Sequence, residues 1–155
     1  MSTPKLARIL AAAAVTALLA ACSAGGGGAL SPGLTAPMNV PGAQLNRVEA
    51  LFLLNDFRRS QGAADVRGDT LLDSTAQTLA VNYAKTGGQP LLPPGALAMR
   101  LSAGYPTFAE VFSGWRNVPA DAAALATQGA TRAGLGVSYD PNSAHGVYWV
   151  LVLGN

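Results

Sequence analysis

Residues 147 to 153 read Val-Tyr-Trp-Val-Leu-Val-Leu, and no other stretch of the chain constrains the fold as strongly. Side chains of a strand alternate between two faces, so an unbroken apolar run is apolar on both and has to be covered on both. The residues before it behave differently. Ala133, Leu135, Val137 and Tyr139 alternate with small residues, which is the period of a strand, and "DPNSAHG" between the two segments is rich in turn formers. A closing hairpin whose last strand is buried on both sides needs layers above and below it.

The upstream sequence supplies helices for those layers. Leu45 to Gln61 carries Leu45, Val48, Leu51, Phe52 and Leu54 on a broad apolar face and stops at Gly62. The next helix opens with Thr70 and Asp73 as a capping-box-like pair. It continues through Leu72, Ala76, Leu79, Ala80 and Tyr83 as one stripe and ends at Gly87-Gly88. "QPLLPPG" reads as a loop and Ala96 to Ala103 as a short helix. Thr107 starts a further helix with Phe108, Val111, Phe112 and Trp115 at helical spacing; Pro119 stops it, and Ala120 to Gln128 forms another short one. Helices followed by a terminal hairpin give an α+β chain, arranged as an α-β-α sandwich with a small antiparallel sheet between helices.

The first 43 residues lie outside that scheme. "MSTPKLAR" is basic, "ILAAAAVTALLA" is apolar but short for a membrane span, and Leu19-Ala20-Ala21-Cys22 closes the segment with small residues before the chain's one cysteine. This resembles the lipobox of bacterial lipoproteins. The resemblance implies a signal peptide over 1–21, cleavage before Cys22 and acylation of Cys22. Ser23, where relatives retained at the inner membrane carry Asp, implies sorting to the periplasmic face of the outer membrane. Residues 22–43 are rich in Gly and Pro and read as a flexible tether of roughly 25 Å reach. The remaining domain is 44–155.

Charge narrows the partners. Ten basic residues less Lys5 and Arg8 of the signal leave eight, against eight acidic ones. Such a balance offers no field for phosphates and excludes nucleic acid as a partner. With a single cysteine, no disulfide forms within the chain. The membrane, reached by the lipid anchor, is the expected partner. An envelope protein, a lipid or a cell-wall fragment would be the ligand of the domain.

Over most of 50 to 154 the chain resembles the CAP superfamily in its bacterial SCP-like branch. Asn55, Arg58 and Gly62 match a first-helix pattern, N-x-x-R-x-x-x-G. Asp69, Leu72, Ala76, Gln77 and Ala80 match a second, D-x-x-L-x-x-x-A-Q-x-x-A. "AGYP", "GW", "TRAGLGV" and "YWVLVLG" recur in family order. The resemblance implies an α-β-α sandwich with a cleft lined by two His and two acids, a set suited to a divalent metal. This chain departs from that set. The place of the first His falls near Gln89-Pro90-Leu91, the G-E-N acid is missing, a later acid position is near Val118, and P-G-H is Pro119-Ala120-Asp121.

The remaining polar candidates are few. Asp121 stands either as a lone cleft acid or as a cap of the helix that follows it, and is expected to pair with Arg132, so that Asp121 and Arg132 form the candidate cleft. Glu110 completes Thr107-x-x-Glu110 and reads as a cap. His145, the single histidine, reads as a solvated turn residue. One histidine does not make a zinc site, and no G-x-S-x-G elbow accompanies Ser102, Ser113 or Ser138. The expectation is a non-catalytic domain with no metal and no cofactor. The alternative is an envelope hydrolase using Asp121, Glu110 or His145.

Overall fold

The computed structural model describes residues 29–155. The signal peptide over 1–21 and the acylated Cys22 fall outside the described residues. The elements run α1 (Pro32–Thr35), α2 (Arg47–Ser60), β1 (Arg67–Gly68), α3 (Thr70–Thr86), β2 (Ala96–Ala103), α4 (Phe108–Asn117), α5 (Pro119–Leu125), β3 (Arg132–Tyr139) and β4 (Val147–Gly154).

The sheet has four strands in the order β1-β3-β4-β2, with β1 parallel to β3 and the other pairs antiparallel. β4 is thus central, and every one of its residues is buried. Its side chains divide by parity, as a strand requires. Val147, Trp149, Leu151 and Leu153 enter the core formed with α1, α2, α4 and α5. Val150 and Val152 meet Ala76 and Ala80 of α3 on the opposite face, where Tyr148 meets Tyr83. The sandwich read from the apolar run is the observed one. Each aliphatic side chain so buried contributes about 1.5–3 kcal/mol relative to exposure.

Helix α3 lies unusually close to β3. A Cβ placed on Gly136 would come within 2.3 Å of the Ala76 carbonyl carbon, and one on Gly134 within 2.1 Å of that of Leu72. Both glycines are where the helix backbone touches the strand, which is why β3 alternates large and absent side chains.

Several local readings change. Ala96–Ala103 is strand β2 rather than a short helix: it runs antiparallel to β4 through Ala98↔Leu153 to Ala103↔Tyr148. Its alanines favour a helix, but pairing along the central strand decides. The N-cap of α3 is Asp69, one residue before Thr70. Its carboxylate accepts from the Leu72 amide at 2.9 Å. In α2 the buried positions are Ala50, Leu54 and Arg58, while Val48 and Phe52 face outward. The last turn of the chain before 44 is also folded. Leu34 and Met38, in the stretch read as tether, are buried in the main core, and the Met38 amide donates to Pro106 O at 2.7 Å.

Candidate functional site

The two residues of the expected cleft are apart. Asp121 is in the first turn of α5 and accepts from Arg100 of β2. Arg132 opens β3 and donates to Asp69 at 3.2 Å and to the Asn155 carbonyl. The reason is topological: β2 and β3 flank β4 on opposite sides, so α5 packed on β2 cannot deliver Asp121 to the start of β3. The expected Asp121–Arg132 pair is corrected to Asp121–Arg100 and Asp69–Arg132. Asp69 consequently sits below the ordinary carboxylate range. The Leu72 amide is the main cause and Arg132 reinforces it, against some loss of solvation.

The three residues of the hydrolase alternative are scattered. Glu110 closes a complete capping box at the start of α4: its carboxylate accepts from the Thr107 amide at 3.1 Å, and its own amide donates to Thr107 Oγ1 at 3.3 Å. His145 is an exposed turn residue whose backbone amide donates to the Tyr148 hydroxyl and whose ring lies edge-on to Tyr148. Asp121 is held by Arg100. No hydrogen bond or ion pair joins any two of them, and none joins His145 to Ser102, Ser113 or Ser138. Among the described residues, no three His, Cys, Asp or Glu side chains gather where an ion could sit. An ion at Asp121 would also meet the Arg100 guanidinium.

Two features escaped sequence reading. The first is at the open edge of β3, which β1 pairs only as far as Ala133. Beyond that point, side chains take over. Asp73 accepts from the Leu135 amide at 2.8 Å, and Arg47 donates to the Leu135 carbonyl at 3.1 Å. The Gln77 carboxamide accepts from Val137 N and donates to Val137 O, at 3.3 and 2.8 Å. Asp73, read as half of a cap, is free for this because Asp69 caps α3. Arg47, Asp73, Gln77, Thr70 and Ser74 border an open hollow of about 480 Å³.

The second is a furrow along the outer face of α3. Ser74, Thr75, Thr78 and Leu79 line its first part, about 290 Å³. It widens to about 630 Å³ between Thr75, Leu79, Asn82 and Thr86 and the loop holding Pro90, Leu91, Leu92, Pro93 and Pro94. No charged side chain lines either part. The helix hydroxyls are turned inward: Ser74, Thr75, Thr78 and Thr86 each donate to the carbonyl four residues earlier at 2.9 Å. Bonded in this way, the hydroxyls are engaged by the helix's own carbonyls. Leu91, in the Gln89-Pro90-Leu91 stretch, is 88% exposed on the rim. The prolines and leucines of "QPLLPPG" are the sequence trace of this surface, but their pairing with a threonine face appears only once α3 and the loop are placed side by side.

No protein-family model matches the chain, and no curated protein matches it. Solved structures do. The protein MpPR-1i aligns with a TM-score of 0.57 at 16% identity, over 69% of this chain and 88% of that one. An outer surface protein of Borrelia burgdorferi aligns with a TM-score of 0.55 at 14% identity, over 68% of this chain and 89% of that one. An extracellular protein of Bacillus anthracis containing an SCP domain aligns with a TM-score of 0.57 at 14% identity, over 70% of this chain but 40% of that longer one. At these identities the likeness is one of fold. The chain adopts the α+β fold of SCP/CAP domains.

Proposed function

We propose that this chain is a lipid-anchored cell-envelope protein whose CAP-fold domain binds or scaffolds and does not catalyse. The pairing of Asp121 with Arg100 carries the reading. The acid at the family's P-G-H place is neutralised by a cation on the adjoining strand, and among the described residues no three His, Cys, Asp or Glu side chains gather into an ion site. The uncharged furrow of α3 is the surface for a ligand without charge: an apolar segment of an envelope protein, a lipid or a cell-wall fragment. Balanced charge argues against nucleic acid. Leu19-Ala20-Ala21-Cys22 supports anchoring, and Ser23 supports the periplasmic face of the outer membrane. Structural neighbours named as an outer surface protein and an extracellular protein agree with life outside the cytoplasm.

Anchoring is tested by growing cells with a clickable fatty acid. Wild type takes up the label and Cys22→Ser does not; equal labelling refutes the anchor. Binding is tested with a photo-crosslinking residue at Leu91 in intact cells. A discrete adduct at Leu91, absent when the probe is at Arg116 on α4, supports the furrow. The expectation of a cleft without a metal is tested by calorimetric titration with zinc and manganese at neutral pH. Stoichiometric micromolar binding lost in Asp121→Ala would revive the hydrolase.

A further inference from the structure

The point at which the chain enters its folded domain is fixed by local contacts. The Ser31 hydroxyl donates to the Glu49 carboxylate of α2. Gly33 lies so close to α2 that an added Cβ would meet that carboxylate at 2.2 Å. The first described residues therefore lie alongside the first turns of α2. Beside this exit are three large apolar side chains that no described residue covers. Val48 and Phe52, one helical turn apart, are 79% and 65% exposed, and Leu30, next to Ser31, is 54% exposed. The inner face of α2 is filled by Ala50, Leu54 and Arg58, so these side chains have no place in the core.

We infer that this outer face of α2 rests on the lipid bilayer, with Phe52 and Val48 at the boundary between headgroups and acyl chains. The inference deepens the anchored reading and rests on it. Ser31 is nine residues beyond Cys22. However that segment is arranged, nine residues span at most about 32 Å, at 3.3–3.6 Å each. A domain of this size has a radius of gyration of about 14 Å. The exit is thus held within about one domain diameter of the acyl chains, which favours contact by the surface around the exit over the far side of the domain. Its contact is apolar rather than electrostatic. Arg59, on the same helix, is engaged by Asp56 and Asp65, and Arg47 by Asp73, so among the described residues the two arginines of α2 nearest this face are already paired. Because α2 and α3 cover opposite faces of the sheet, this orientation turns the threonine furrow toward the aqueous side.

The test uses the full acylated chain in vesicles whose lipids carry bromine on the acyl chains. In Phe52→Trp the added indole loses about half its emission or more, as burial some 5–10 Å into the interface requires. The loss is the same with and without anionic lipid. In Lys85→Trp, on the opposite layer and outside the furrow, the added indole keeps its emission. The native Trp115 and Trp149, both buried, serve as the unquenched background. Mass spectrometry of the same sample reports the state of Cys22. An acylated chain with no quenching in Phe52→Trp, or with equal quenching in both variants, overturns this inference alone. A chain without acyl groups at Cys22 overturns the anchored reading and the inference with it.

Discussion

Arg58 is the one charged side chain wholly removed from solvent among the described residues, and replacing it by Met measures what holds α5 in place. Its guanidinium meets no carboxylate at contact distance. Nε donates to Ala64 O at 2.8 Å, one Nη to Leu125 O at 2.6 Å and the other to Thr127 O at 3.2 Å. Burial lowers its pKa from the ordinary value, with the Asp65 charge acting the other way. Two effects compete. Charged hydrogen bonds contribute about 1.5–3 kcal/mol each, and their loss leaves three carbonyls without a donor. Against this, an apolar side chain of similar length escapes the several kcal/mol spent desolvating a cation. Three bonds to fixed carbonyls outweigh that relief, so Arg58→Met is expected to destabilise by about 2–4 kcal/mol. Arg58→Lys keeps the charge but cannot reproduce the fork, and falls between Met and wild type. Urea denaturation followed by far-UV circular dichroism gives the difference as a shift in midpoint at constant slope. Arg58→Met at wild-type stability or above would refute the reasoning, because it would mean that desolvation dominates.

Three further perturbations follow from the same contacts. Gly136→Ala forces α3 away from β3 and should cost about 3 kcal/mol or more, read as a fall in urea midpoint; a neutral result would refute the close approach. Glu110→Ala should cost about 0.5–1 kcal/mol and Glu110→Gln less, since the amide still reaches Thr107; equal losses would refute the cap. Asp69 contributes stability above the ordinary carboxylate pKa, and this is lost as pH falls through its lowered folded value. Asp69→Asn should therefore flatten the decline in stability below about pH 4, measured by urea titration at successive pH values; an unchanged acid limb would refute it.

The residues legible in sequence were those whose environment is set locally or by symmetry. Val147 to Leu153 announced a strand covered on both faces because the run is short, rich in β-branched and aromatic residues, and preceded by a cluster of turn formers. Thr107-x-x-Glu110 announced its own cap. What failed depended on partners distant in sequence. Ala96–Ala103 has no alternation that tells an edge strand from a helix, and only its pairing with β4 settles the matter. Val48 and Phe52 fit an apolar helix face by spacing, but Arg58 takes the interior through carbonyls of residues 64, 125 and 127. The candidate cleft failed for the same reason. Asp121 and Arg132 are eleven residues apart in sequence, yet one lies against β2 and the other beside β1, and the order of strands keeps them separate.

The side chains that close the open edge of β3 matter most where the protein is concentrated. An exposed strand edge invites addition of another strand, and confinement to a surface makes such encounters frequent. Here Leu135 and Val137 have already given their backbone groups to Asp73, Arg47 and Gln77. A neighbouring chain would have to displace three side chains before its first ladder bond could form. Addition of a strand at the β3 edge is thus disfavoured. Substituting Gln77 would leave the fold's layers in place while opening a route to fibrous aggregation.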